Sequence, residues 1–270
     1  IAFFLALVFL VHPMNVEAVS YISAVSDVLV FMFGIIALRL FMKTHLSHFR
    51  FILAGFLVLL AFLTKESGIL WLLIILMYLL LFKKIKQVGT LTFIGISAGL
   101  YFLMRVYMGH ITTTLSNLNN APIAKLPLDE RLLSLPKIIF FYMYTFLFPA
   151  NLTISQHWVV QSINMPDFFL PLFFDLFFFS LLAAGLFYIY KYHKKDLRSY
   201  LFFLIWFIIS LSLYLQIIPL DMTVAERWFY IPMVGMLGMI GVIVQTVKVK
   251  PSAKSLLIFI IIIIRYRQGN

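Results

Sequence analysis

The sequence predicts an all-α protein, a polytopic bundle of helices held in a membrane. Three observations carry this prediction. Of 270 residues, 63% are hydrophobic and 11% charged, with a mean hydropathy of +1.05. Soluble domains hold about 45–50% apolar and about 25% charged residues. The apolar residues also fall in long segments, with no alternation that would call for strands. Finally, the net charge of +11 is carried by Lys and Arg gathered between those segments, where positive charge sets membrane orientation. A nucleic-acid partner is therefore not expected. There is no cysteine, so disulfides and thiolate metal sites are excluded.

In order, the apolar segments are 1–11, 26–42, 51–64, 67–82, 88–108, 133–149, 168–190, 199–219, 228–247 and 255–266. Taken together they predict about nine spans plus one re-entrant or interfacial helix. The first ends at Pro13, because proline removes a backbone donor and disfavours helix in the residue before it. From Val16, the order of apolar and polar residues reads as a short amphipathic helix at the membrane interface. Four basic loops contain Arg39, Lys43 and Arg50; Lys83, Lys84 and Lys86; Lys191, Lys194, Lys195 and Arg198; and Lys248, Lys250 and Lys254. The positive-inside rule puts them on the cytoplasmic side. The remaining loops then face outward: 12–25, the turn 64–68, 109–132, 150–167 and 220–227. Segment 133–149 spoils the alternation of sides. It is broken by Pro136 and Lys137, and is the helix expected not to cross. Residues 1–270 are read as a single transmembrane domain, with 109–167 as an external lobe. Both ends of the chain read as cut.

Function is expected from the polar groups of the outward loops. These include His12, Glu17, Asp27, Lys65, Glu66, His157, Glu226 and Arg227. Charges this close to hydrocarbon are costly and mark ligand paths or functional sites. Lys65 and Arg227 suit a phosphate; Glu66 and Glu226, their chain neighbours, suit the task of positioning them. His12 and Glu17 would line the same outward face. Plainer readings stand beside these. Glu226 with Arg227, and Lys65 with Glu66, could simply be interfacial ion pairs, and His12 could cap a helix end. A His12 and His157 metal pair lacks a third ligand at a telling spacing. Within spans, Arg105 is placed to snorkel, and Asp175 to be buried against a partner.

Several motifs share a resemblance. His12-Pro13, Glu17-Ala18-Val19 and Asp27-Val28-Leu29 resemble the HP…EAV…DxL stretch of the transmembrane O-mannosyltransferases that carry tetratricopeptide repeats, and of their bacterial relatives. Leu63-Thr64-Lys65-Glu66-Ser67-Gly68-Ile69 is similar to their LxKExGI turn. Arg105-Val106-Tyr107-Met108-Gly109, Asn120-Ala121-Pro122, Phe148-Pro149-Ala150-Asn151-Leu152 and Ala225-Glu226-Arg227-Trp228-Phe229-Tyr230-Ile231-Pro232 resemble further family motifs, in family order.

The resemblance implies a C-type glycosyltransferase fold and inverting transfer of a mannose-like hexose, as in O-mannosylation. The implied donor is a polyprenyl- or dolichyl-phosphate sugar. The acceptor is a hydroxyl on protein, lipid or glycan, and the active face is periplasmic, extracellular or lumenal. The catalytic carboxylate would precede Ile1, and the stretch alone would then be inactive. The repeats would follow the last helix. Ser155-Gln156-His157-Trp158 departs from the Asp-Tyr or Asp-Trp pair usual in that loop. No cofactor is certain, and a divalent metal stays open. Two rival readings remain: a transporter or flippase for a lipid-linked or charged substrate, and a non-catalytic membrane scaffold.

Overall fold

The computed structural model describes residues 1–43, 48–82, 95, 99, 103, 121–150 and 152–247. Among them every regular element is a helix, and Gln156 with Val224 forms one isolated antiparallel bridge. The main helices are α1 (Ala2–Val11), α2 (Val16–Ser20), α3 (Val25–Met42), α4 (His48–Thr64) and α5 (Ile69–Phe82). They continue with α6 (Leu128–Leu133), α7 (Leu135–Leu147), α8 (Leu170–Tyr192), α9 (Leu197–Ser212) and α10 (Tyr230–Thr246).

Local sequence explains the boundaries. His12 is extended ahead of Pro13, and the chain bends by 57° there, between Ala2–Val11 and Pro13–Ser20. In α3, Asp27 lies in the first turn and Arg39 in the last, each at the dipole end that favours its charge. Ahead of α8, the Asn164 side chain accepts from the Asp167 backbone N–H at 2.7 Å, capping the π-helical stretch Met165–Phe169.

Among the described residues, three helices are long and apolar enough to cross a membrane: Ile22–Met42, Met165–Tyr192 and Glu226–Thr246. The bent pair Ala2–Val11 and Pro13–Ser20 makes a fourth if taken as one span. About nine spans were expected, and the described residues support fewer. Over the described residues, α4 and α5 run 17 and 14 residues, a rise of about 25 and 21 Å against a hydrocarbon core of about 30 Å. Segment 133–149 begins at the last residue of α6 and forms α7 after Ser134; α7 has 13 residues and is too short to cross. Expected segments 88–108, apart from residues 95, 99 and 103, and 255–266, with Arg105 and Asn120, lie outside the described residues.

Two cores hold the bundle. One gathers α3, α4 and α5 around Trp71, with Phe202 and Trp206 of α9 and Ile231 of α10. The Trp71 ring meets Phe31 and Trp206 edge-on at 5.6 and 5.4 Å. The other joins α7, α8, α9 and α10 around Tyr142, Phe207 and Phe229. Gly235 lets α10 approach the α9 backbone, since a Cβ there would lie 2.6 Å from the Phe207 nitrogen.

Most of α8 faces away from the protein, and only Pro171, Asp175 and Ile189 are buried. Neither Asp175 carboxyl oxygen has a partner among the described residues. A buried unsatisfied polar group costs about 1–3 kcal/mol. Asp175→Leu should therefore raise unfolding stability by about that amount, measured by denaturation in detergent micelles. A loss of stability would show that this carboxyl is held by a partner after all.

Candidate functional site

Three loop segments bring their charges to one place. Residues 16–27 fold inside out for a soluble helix: Glu17, Ala18, Ala24 and Asp27 are buried, while Val16, Val19, Tyr21, Ile22 and Val25 are exposed, Ile22 at 88%. The apolar side of this stretch faces outward and its carboxylates face in. Lys65 stands between α4 and the 3-10 turn Glu66–Gly68, with an extended backbone. Arg227 lies in the 3-10 turn Glu226–Phe229 that opens α10.

The cluster these segments form is tightly paired. Lys65 Nζ donates to both oxygens of Asp27, at 2.7 and 2.8 Å. The Arg227 backbone N–H donates to Glu17 Oε2 at 2.9 Å, and its Nη1 donates to Glu17 Oε1. Arg227 Nε is 4.0 Å from Asp27 Oδ2, so Asp27 faces both cations. Met222 sulfur lies 3.6 Å from Arg227 Nη2. The guanidinium also lies 5.9 Å from the Tyr21 ring and 6.0 Å from the Trp228 ring. Two carboxylates and two cations cancel, as burial at this depth requires.

Glu226 takes a different direction. Its Oε1 accepts from the Thr153 N–H at 2.5 Å, tying the 152–160 segment over the start of α10. That segment is further held by the Gln156 bridge to Val224 and by Thr223 Oγ1 donating to the Trp158 carbonyl at 2.6 Å. His157 is on this segment and exposed. The carboxylate that holds Arg227 is thus Glu17, and the one that holds Lys65 is Asp27. Glu66 lies beside Lys65 in the chain, in the turn that follows it.

His12 is a structural joint. Its Nδ1 accepts from the Met14 N–H at 3.2 Å, so Nε2 carries the proton and donates to the Phe146 carbonyl at 3.0 Å. The ring stacks on Phe146 with centroids 5.0 Å apart. Asn15 continues the joint, donating to the Phe9 carbonyl at 2.6 Å. Sequence reasoning gave Asn15 and Tyr21 no role. Two phenols, those of Tyr142 and Tyr214, are also buried. Among the described residues, no group of three or more His, Asp or Glu side chains is arranged to hold a metal.

Comparisons with protein-family models, with curated proteins and with solved structures find no match.

Proposed function

We propose that this chain is the membrane part of a glycosyltransferase of the C type. It would pass a mannose-like hexose from a polyprenyl- or dolichyl-phosphate donor to an acceptor hydroxyl on protein, lipid or glycan. The observation that carries this reading is the meeting of Glu17, Asp27, Lys65 and Arg227, drawn from three separate motifs, in one buried cluster. Beside it lies an exposed apolar rim formed by Val16, Val19 and Ile22. Buried charge next to exposed hydrocarbon suits a substrate with an anionic head and an apolar tail.

Orientation follows from charge. On α3 the cluster is at the N-terminal end, with Arg39 and Lys43 exposed at the other. If the basic end is cytoplasmic, the cluster opens outward, on the periplasmic, extracellular or lumenal side of a multi-pass protein.

In the reaction, the acceptor oxygen attacks the anomeric carbon as the bond from that carbon to the phosphate oxygen breaks. The bonding pair leaves with the lipid phosphate, which gains one negative charge. The hydroxyl proton passes to a carboxylate base, which becomes the carboxylic acid. The cationic side of the cluster stabilises the leaving phosphate, and a donor of this kind contributes about 10²–10³ in rate. The test is sugar transfer by the full-length protein in liposomes, offered a panel of radiolabelled polyprenyl-phosphate sugars. Lys65→Ala should lower turnover by about 10²-fold. No transfer from any donor would overturn the reading.

One observation favours a transporter or flippase instead. Asp175, within a span, has two buried oxygens without partners among the described residues, as ion-coupled carriers use. In the same liposomes, a donor crossing the bilayer chemically unchanged would select that reading.

A further inference from the structure

The two cations of the cluster are not equivalent. Arg227 is enclosed, with its side chain 9% exposed. Its backbone N–H and Nη1 are taken by Glu17, Nη2 faces the Met222 sulfur, Nε faces Asp27, and the Tyr21 and Trp228 rings lie about its guanidinium. It joins the N-terminal segment to α10 and has little left to offer a ligand. Lys65 differs: its side chain is 25% exposed. Two of its three N–H groups go to Asp27, leaving the third without a partner among the described residues.

We propose that the Lys65 ammonium is the contact for the phosphate of a prenyl-type amphiphile, and that Asp27 is the positioning residue that presents it. Asp27 suits this role because it is held from two sides. Its own side chain is 4% exposed. Lys65 grips both of its oxygens, and Arg227, itself locked by Glu17, stands behind Oδ2 at 4.0 Å. Because Asp27 shares its charge with Arg227, Lys65 is not fully neutralised and can accept a share of an incoming anion. The tail of the amphiphile would run over the apolar side chains of Val16, Val19 and Ile22, exposed at 55%, 62% and 88%. This assignment deepens the proposed function and rests on the same site. It requires the head-group contact only, not sugar transfer.

The test measures binding of farnesyl phosphate, with farnesol as the uncharged control, to the full-length protein in phosphatidylcholine nanodiscs. Wild-type protein should prefer the phosphate, and Lys65→Arg should keep that preference. Asp27→Asn should weaken phosphate binding about tenfold, about 1.4 kcal/mol. A counter-ion acting by charge alone predicts the opposite, since its removal leaves the cluster more positive and would tighten anion binding. Tighter binding in Asp27→Asn therefore overturns the proposal. The charge swap Asp27→Lys with Lys65→Asp sets a lysine beside Arg227 and an acid at the exposed position, and should lose the preference for phosphate over alcohol. A swap that regains the preference, or a wild type that never shows one, also overturns it. Sugar transfer separates the two ideas: preference without transfer would sink the transferase reading and leave this one, while transfer without preference would do the reverse.

Discussion

Glu17→Ala should cost about 3–5 kcal/mol of stability, the range found when one partner of a buried ion pair is removed. The Glu17 side chain is 3% exposed and Arg227 9%, so neither charge can turn to water when the other is lost. Glu17 also accepts the Arg227 backbone N–H, and the variant strands that donor as well. The pair links positions 210 residues apart, which makes it a closure of the whole bundle. Denaturation in detergent micelles, followed by helical circular dichroism and Trp fluorescence, would measure the loss. The double variant Glu17→Leu with Arg227→Met should recover most of it, because apolar residues of similar volume can replace a buried pair at little or no cost. A loss below about 1 kcal/mol, the range of exposed pairs, would mean that water reaches the pair.

The helical class was legible in composition, and the motifs named the segments that carry the clustered charges. The pairing was not. Glu226 and Arg227 are neighbours in the chain, but successive side chains of a 3-10 turn point about 120° apart. The two therefore reach different partners, Thr153 and Glu17. Lys65 and Glu66 divide in a similar way, the first extended and the second opening a turn. Choosing Glu17 for Arg227 requires knowing that α10 packs beside the N-terminal segment, a long-range fact that local pattern does not encode. His12 was ambiguous for a related reason. Its tautomer is set by Met14 nearby and by Phe146, 134 residues away. The expectation of about nine spans came from hydropathy, which registers apolar residues, whereas crossing depends on unbroken helix length. The breaks around Lys65 and at Pro13 leave α4, α5 and α1 short. The burial expected for Asp175 holds, but its oxygens find no partner among the described residues.

Gly68→Val should destabilise the protein by about 3 kcal/mol, the upper end of what overpacking costs, and should weaken farnesyl phosphate binding along with it. Glycine is required here by closeness, not by an unusual backbone angle. A Cβ at Gly68 would lie 2.5 Å from the Ala61 carbonyl oxygen, 2.6 Å from its carbon and 2.7 Å from the Phe62 nitrogen. These are backbone atoms of α4, so no rotamer change can clear them and no smaller neighbour can rescue the variant. The 3-10 turn must move away from the helix. Gly68 N–H donates to the Lys65 carbonyl at 2.9 Å, so that movement carries Lys65 away from Asp27. Gly241→Ala provides the contrast. Its Cβ would meet the Leu5 Cδ1 at 2.7 Å, the free end of a side chain that can rotate aside. That variant should lose well under 1 kcal/mol and bind the phosphate as before. Equal stability of the Gly68 and Gly241 variants would show that the turn does not rest on the α4 backbone. A destabilised Gly68 variant that still preferred farnesyl phosphate over farnesol would show that the turn does not set the position of Lys65.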